Sequence, residues 1–317
     1  MKRLFHRSAG ILAAGLTAMI VCSSAGASEL RPMNLAATTF LDGGGAPPGA
    51  IWMTYLQFIQ GKSLVDNNGK VVPGQAKMNI MADLNQVFWL TPVKFAGANL
   101  GLNAIVPVSA TSVRGTVPYG FPPPALSADL GGVGDPTIGA ALQWNNTKIG
   151  PVPFFHRLEM DVFLPWGKYD PHVMINPGMN YTTVELYYAF TTFLSPKIET
   201  SWRLHYGVNG ENKDVEVAPG GPVTIKPGRY FHVNGAASYQ VTNQWRAGVA
   251  YYYLQQLSDN ELNGVTQPGT KERAMGAGPG VAYVTKDLLF MFSRTTDFDV
   301  RNRFKGATTT LQLIHEF

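Results

Sequence analysis

The sequence has little cysteine, little charge and no long hydrophobic run beyond its first segment, and each shortage excludes a class of protein. Cys22 is the only cysteine, so the chain can form no internal disulfide. Charged residues make up 15% of the chain, whereas soluble domains average about 25%. No apolar stretch after Cys22 approaches the roughly 20 residues that a membrane-spanning helix needs. The apolar surface of this chain must therefore be buried by another kind of structure.

The N-terminus predicts a secretory signal peptide over residues 1–27. A basic start precedes an apolar stretch over residues 9–22, and a small-residue cleavage site follows it. The apolar stretch is too short to remain as a spanning helix. Cys22 raises the alternative of a lipoprotein, but Val21 stands where a lipid-attachment site needs a small residue. We therefore expect export with cleavage of this segment.

The charge balance argues against nucleic acid as a partner. The whole chain carries 25 Lys and Arg against 21 Asp and Glu, a net charge of +4. Three of the basic residues lie in the signal peptide, so the mature chain is close to neutral, whereas a nucleic-acid surface needs a clear basic excess. The histidines are scattered along the sequence, and we expect neither a metal site nor another cofactor.

Apolar and polar residues alternate with a period of two along most of the mature chain. Charges at every second position cannot all point into a soluble core, so the period indicates strands with one apolar and one polar face. Most of these segments are ten to sixteen residues long, which suits a tilted membrane-spanning strand of about 9–11 residues. About twelve segments show the pattern, near residues 50–60, 76–90, 93–108, 133–145, 153–165, 181–194, 197–208, 229–241, 244–257, 273–285, 287–297 and 304–317.

The connections between these segments alternate between long and short, which is typical of outer-membrane barrels with external loops and short periplasmic turns. The short ones are expected at Thr91-Pro92, residues 146–152, Ser195-Pro196, Thr242-Asn243 and Lys286-Asp287. The sequence therefore predicts an all-β fold over residues 50–317, a transmembrane antiparallel up-and-down β-barrel of about 12 strands in the outer membrane of a Gram-negative bacterium. We expect outer-membrane lipid to surround the barrel.

The last strand carries a further signal. Backbone groups in lipid must all be paired, so the sheet has to close without an edge. Leu311, Leu313 and Phe317 lie on one face of the final strand, and a terminal aromatic with apolar residues behind it resembles the signal that the barrel assembly machinery recognises. We expect that machinery to be a partner of the chain.

Several short motifs occur in an order that resembles the outer-membrane family named for the meta-pathway of phenol degradation. They are GGVGDP (Gly131 to Pro136), LPWGKYD (Leu164 to Asp170), DNELNG (Asp259 to Gly264), GAGPGVAY (Gly276 to Tyr283) and NRFKG (Asn302 to Gly306). The resemblance spans nearly the whole mature chain. It implies a channel or transporter for small hydrophobic or aromatic compounds such as phenol-type carbon sources. It supplies no binding residues, and most of these motifs also have a structural explanation in bends and bulges.

A barrel of this size has a narrow lumen, whose lining decides what passes. If Phe193 pairs with Lys197 across the turn, Tyr187 lies opposite Arg203 and Glu185 opposite His205. The expected lumen residues form a charged belt that either selects permeants or pairs its charges as a salt-bridge ladder in the wall. They are Arg157, Glu159, Asp161, Glu185, Tyr187, Glu199, Arg203 and His205.

Two other functions remain open from the sequence. An outer-membrane hydrolase needs a nucleophile beside a His–carboxylate pair, and Ser201, His205 and Glu185 share one face, although no local catalytic motif surrounds them. A structural or adhesin-type barrel is favoured if its lumen is permanently plugged. Residues 28–49 precede the first strand and either hang in the periplasm or fold into the lumen as a plug. We expect a channel and no enzyme.

Overall fold

The computed structural model describes residues 30, 34–38, 40–44, 47–116, 125–173, 175–216 and 222–317. The expected signal peptide, residues 1–27, lies outside this range. All regular elements of the described part are strands.

No helix in the described part of the chain is long and apolar enough to cross a membrane.

Among the described residues, thirteen strands form one large antiparallel sheet and four short ones form a second. The large sheet contains β1 (Gly49–Val65), β2 (Lys77–Phe95), β3 (Ala98–Thr116), β4 (Ala125–Val133), β5 (Thr137–Ile149), β6 (Val152–Phe163), β7 (Thr183–Ser195), β8 (Ile198–Asn209), β11 (Tyr230–Gln240), β12 (Trp245–Gln256), β15 (Arg273–Val284), β16 (Leu288–Arg301) and β17 (Arg303–Glu316). The small sheet contains β9 (Asn212–Val215), β10 (Val223–Lys226), β13 (Glu261–Leu262) and β14 (Val265–Thr266).

The large sheet closes on itself, which confirms the predicted barrel. Consecutive strands pair around the ring, β1 pairs with both β2 and β17, and β2 pairs with β3. β4 and β5 share one position beside β3, where residues 134–136 interrupt a single long strand. The ring therefore has twelve strand positions, as expected. Closure pairs the backbone of every strand and leaves no edge for lipid to meet.

The period of two sorts the side chains of each strand onto two faces. On β2, Ile80, Gln86 and Phe88 point inward and are buried, whereas Met81 and Val87 point outward with about half of their surface exposed. Inward-facing positions elsewhere are rich in Asn, Gln, Ser, Thr and charged residues, while exposed Leu, Val, Met and Phe dominate the outer face. A polar interior and an apolar outer band are the arrangement that a barrel in lipid requires.

The barrel has two different ends. β1 begins and β17 ends at one end, which we call the turn end, and the Phe317 amide donates to the Ala50 carbonyl there at 3.0 Å. Leu311 and Leu313 face outward on β17, and Phe317 is 78% exposed. The opposite end, which we call the loop end, carries the longer connections. There, β9 and β10 from one loop pair with β13 and β14 from the next and form the small sheet.

The structure corrects three predicted connections. The β2–β3 turn lies at Ala96-Gly97, and not at Thr91-Pro92, because both central residues adopt the positive φ that a tight hairpin turn uses. The turn between β5 and β6 tightens to Gly150-Pro151. The connection expected over 109–132, between the predicted strands 93–108 and 133–145, is largely strand, since β3 and β4 pair from Val108 with Val133 to Thr116 with Ala125.

Candidate functional site in the barrel lumen

The N-terminal segment lies inside the barrel against inward-facing side chains. The Ala36 amide donates to Asn234 Oδ1 at 3.0 Å, and the Gly43 amide donates to Thr191 Oγ1 at 2.6 Å. Phe40 is fully buried and packs with Ala236 of β11 and Met291 of β16. These contacts reach opposite sides of the ring, so residues 34–44 fill part of its cross-section where they are described.

A buried ion pair fastens this segment to the wall. Arg203 of β8 donates through Nε and Nη2 to both carboxylate oxygens of Asp42. The side chains are 7% and 3% exposed, respectively. A bidentate guanidinium–carboxylate pair is strong and geometrically specific, and each partner would be a costly buried charge without the other. Asp42 is therefore the main electrostatic anchor among the described residues of the segment.

A second group of charges lies on β6. Arg157 Nε lies 2.8 Å from Glu159 Oε2, and its Nη2 donates to the Tyr187 hydroxyl at 3.0 Å. The Tyr187 hydroxyl donates in turn to Glu159. Asn103 of β3 donates to Glu159 at 2.8 Å and to Asp161 at 3.3 Å. The positive charge of Arg157 is therefore matched locally, and Asp161 remains with only neutral hydrogen-bond donors among these contacts.

Four residues of β7, β8 and β11 form what we call the imidazole cluster: Glu185, His205, His232 and Tyr230. Glu185 lies 2.8 Å from His205 Nδ1 and 3.4 Å from His232 Nε2, and it accepts a hydrogen bond from the Tyr230 hydroxyl at 2.7 Å. The two imidazole rings stack at 3.9 Å between centroids. Tyr230 reaches the carboxylate by lying over Gly207, where a Cβ atom would meet its ring at 2.1 Å.

Nearer the turn end, Glu199 is fully buried and accepts hydrogen bonds from Ser238 at 2.6 Å and from Ser201 at 3.0 Å. Arg246 donates to the same Ser238 hydroxyl at 2.7 Å. Ser201 also shares a hydrogen bond with Thr191 at 2.7 Å. Ser201 Oγ also accepts a hydrogen bond from the Asp42 amide at 3.1 Å. The hydrogen bonds of Ser201 thus involve Glu199, Thr191 and Asp42, and the His205–Glu185 pair forms without it.

A cavity of about 140 Å³ lies between the N-terminal segment and the loop end. Its apolar wall comes from β1, β2 and β3 and includes Ile59, Ile80, Leu84 and Ile105. The other wall is polar and carries Asp161, Tyr187, Arg203 and the imidazole cluster. A neighbouring cavity of about 100 Å³ shares Gln57, Ile59 and Ile80 with the first. Because a water molecule occupies about 10–15 Å³ on this measure, the larger cavity has room for a small ring compound.

The described residues of the loop between β6 and β7, 164–173 and 175–182, cover this cavity. Asp135 is 3% exposed and accepts from the Gly167 amide at 3.0 Å and from the Met179 amide at 2.9 Å. Ile175 and Met179 of this loop line both cavities. The GGVGDP and LPWGKYD motifs therefore meet in space, with the aspartate of the first holding the loop that contains the second.

All eight predicted lumen residues face inward and are buried. Two of the expected pairings between these residues differ from those in the structure. Tyr187 pairs with His205, and not with Arg203, because the β7–β8 turn shifts the predicted register by two residues and so keeps the same face inward. Arg203 binds Asp42 instead of joining Glu185 or Glu159 in a ladder. Glu185 nevertheless reaches His205 diagonally across the strands.

Sequence reasoning missed residues that come from outside the predicted belt. The histidines are less scattered than expected, since His205 and His232 are direct partners across β8 and β11. With Glu185 they bring three potential metal ligands within 4.8 Å of one another. The inward alternation of His232, Asn234 and Ser238 on β11 could have revealed that strand's contribution. The position of Asp42 had no comparable signal, because the segment before β1 lacks a period.

The sequence profile of a family described as putative MetA-pathway of phenol degradation matches residues 61–313. No curated protein matches the chain in sequence. Among solved structures, an outer-membrane channel from Pseudomonas putida F1 is 18% identical, with a TM-score of 0.74 over 87% of this chain and 98% of that one. The translocator domain of the autotransporter NalP from Neisseria meningitidis is 10% identical, with a TM-score of 0.49 over 90% and 94%. A monoaromatic hydrocarbon channel, CymD, is 8% identical, with a TM-score of 0.39 over 86% and 89%.

The profile match extends from the first strand to the last, and the Pseudomonas structure shares the closed barrel. This chain has the fold of an outer-membrane channel and belongs to the family described as putative MetA-pathway of phenol degradation.

Proposed function

We propose that this chain is an outer-membrane channel for small hydrophobic or aromatic compounds of the phenol type. The observation that carries this proposal is the lumen cavity, which has an apolar wall on β1–β3 and a hydrogen-bonding wall on β6–β8 and β11. Small-molecule sites are typically apolar pockets with a few placed polar groups. The family description, which refers to phenol degradation, agrees with a ligand of that chemistry.

The turn end is proposed to face the periplasm and the loop end the exterior, after export by the signal peptide over residues 1–27 and insertion by the barrel assembly machinery. The exposed terminal Phe317 and the outward Leu311 and Leu313 support the second step, since they are available for recognition before the strand closes the barrel. Short turns on the periplasmic side are the general pattern in such barrels.

Residues 28–49 are proposed to act as a lumen plug. Support comes from the Asp42–Arg203 ion pair, the backbone hydrogen bonds at Ala36 and Gly43, and the full burial of Phe40. A permeant that enters from the loop end would reach the cavity first and then meet this segment. Passage to the periplasm therefore requires the segment to shift or to leave a path beside it.

The buried charges around the plug are proposed to form the constriction. Because Arg157 and Arg203 are each held in an ion pair, the polar wall presents no free cation from these two side chains. This arrangement favours uncharged permeants over anions. The proposed constriction residues are Arg157, Glu159, Asp161, Glu185, Tyr187, Glu199, Arg203 and His205.

A structural barrel is the second candidate, because the contacts that fasten the plug would also suit a lumen that never opens. A hydrolase has less support, since Ser201 is hydrogen-bonded to Glu199 and Thr191. The channel and the structural barrel, which are the two leading candidates, differ only in whether the protein transports a solute.

The test is the initial rate at which cells take up radiolabelled phenol at micromolar concentration, compared between a deletion strain and the same strain expressing the chain. The channel predicts a faster rate with the chain present. Equal rates, together with restored resistance of the outer membrane to detergent, would contradict the channel and favour the structural barrel.

A further inference from the structure

The imidazole cluster has hydrogen-bonding capacity that the barrel leaves unused. The Glu185 carboxylate is an acceptor, so the hydrogen bonds from His205 Nδ1, His232 Nε2 and the Tyr230 hydroxyl require a proton on each of these atoms. The other ring nitrogens, His205 Nε2 and His232 Nδ1, are buried and have no hydrogen-bond partner in the described part of the chain. Both histidines are 1% exposed.

At least one of these two nitrogens is a bare acceptor. Two imidazolium rings stacked at 3.9 Å would repel each other above a single carboxylate, so at least one ring stays neutral. A neutral ring that donates through one nitrogen carries a lone pair on the other. A buried acceptor without a donor is destabilising, and a bound donor would remove that cost.

The surroundings define the donor. His205 and His232 line the cavity opposite the apolar wall of β1–β3. Arg157 and Arg203 are occupied by Glu159 and Asp42, whereas the Glu185 carboxylate lies beside the two imidazoles at the cavity. An anion would be repelled by the Glu185 carboxylate. A compound without a hydrogen-bond donor would leave the bare acceptor nitrogen of His205 or His232 unsatisfied.

We propose that the imidazole cluster binds the hydroxyl or amine donor of an uncharged ring compound, while the ring itself lies against Ile80, Leu84 and Ile105. This inference rests on the proposed channel function and adds a selection rule to it: the donor is required, and its ionised form is rejected. A phenol satisfies both conditions at neutral pH, because a phenolic hydroxyl ionises only near pH 10.

A bound metal fits the cluster less well than a hydrogen-bond donor does. The three potential ligand atoms lie within 4.8 Å of one another, but the imidazole planes are only 10° apart. The lone pairs of two parallel stacked rings run side by side, whereas tetrahedral coordination needs them to converge on one point.

Three fluorinated probes test the rule by fluorine NMR with the refolded barrel in detergent, each referenced to empty micelles. Para-fluorophenol has a donor, para-fluoroanisole has none, and para-fluorobenzoate is an anion. A net hydrogen bond corresponds to about a two- to tenfold preference, so the phenol should bind more tightly than the anisole by that factor, and the benzoate should bind least.

Substitutions of the two histidines test whether the imidazole cluster causes the preference for para-fluorophenol over para-fluoroanisole. His205→Phe combined with His232→Phe keeps the aromatic stack and removes both acceptors, so phenol and anisole should then bind equally. His156→Phe is the matched control, because His156 stacks on Trp144 at 4.7 Å and does not line the cavity. If heat-modifiable migration shows that the double variant does not fold, the single His232→Phe variant is expected to lower the preference.

Four outcomes overturn the inference. Equal binding of phenol and anisole to the wild type refutes the donor rule while leaving the channel intact, whereas failure of both to bind also refutes the proposed cavity. A preference that survives in the folded double variant places the acceptor elsewhere. Stoichiometric Co²⁺ binding that His205→Phe abolishes, with no phenol preference, would assign the cluster to a metal.

Discussion

Replacing Asp42 with asparagine tests how the N-terminal segment is held in the lumen. Asp42→Asn keeps the shape of the side chain and removes the charge that Arg203 binds. The guanidinium is then left unpaired at 7% exposure. Breaking a buried pair from one side costs about 3–5 kcal/mol.

This cost falls on the docked segment, because the Arg203 guanidinium can find water once the segment leaves. At about 1.4 kcal/mol per factor of ten, the ratio of docked to undocked segment should fall by two to three and a half orders of magnitude. The burial of Phe40, worth about 1.5–3 kcal/mol, opposes release. The segment should therefore open often, while the twelve strand positions of the barrel remain paired.

Single-channel conductance in planar bilayers measures this opening directly. Asp42→Asn should conduct more, or open more often, than the wild type. Asp83→Asn is the matched control, because Asp83 faces outward on β2 and bonds Thr54 at 2.6 Å. The double variant Asp42→Asn/Arg203→Gln should lie closer to the wild type in conductance than Asp42→Asn does, since no unpaired charge then opposes docking of the segment. Identical conductance in the wild type and Asp42→Asn would refute the anchoring role.

Three further predictions follow from the two ends of the barrel. Deleting Phe317 should lower the yield of folded barrel in the outer membrane, measured by heat-modifiable migration, and a normal surface yield would contradict its role in assembly. A cysteine at Asn68 should react with a membrane-impermeant maleimide in intact cells and one at Thr242 only in broken cells, because they lie at opposite ends; the reverse pattern would invert the topology. Asp135→Ala removes charge-assisted hydrogen bonds to two loop amides, each worth about 1.5–3 kcal/mol. Trypsin should therefore cut the β6–β7 loop faster in this variant. An unchanged cleavage rate would show that the loop is held by other contacts.

The period of two was sufficient to predict the barrel and its inward faces. Side chains alternate between lumen and outer surface along β7 and β8, so a shift of two residues in the β7–β8 register still placed Glu185, Tyr187, Arg203 and His205 inside. Strand ends were harder to predict. Thr91-Pro92 has turn chemistry, but β2 accommodates Pro92 at an irregularity between Leu90 and Lys94, where the ladder is already interrupted.

Contacts between distant segments could not be predicted from the pattern. Asp42 lies 161 residues before Arg203, and no period or turn connects them. Asp135 likewise appeared only as part of a Gly/Pro motif, although its carboxylate holds two amides of another loop. The partners of Asp42 and Asp135 depend on where a segment without a periodic pattern packs. That position is set only once the barrel has formed.

Filling the cavity tests the central claim most directly. Ala82 faces the cavity on β2, whereas Val87 of the same strand faces outward at 52% exposure. The measurement is the initial uptake rate of radiolabelled phenol in cells that carry equal amounts of folded barrel. The channel predicts that Ala82→Trp lowers uptake towards that of the deletion strain and that Val87→Trp leaves it unchanged. Wild-type uptake in cells with a folded Ala82→Trp barrel would contradict a permeation path through this cavity.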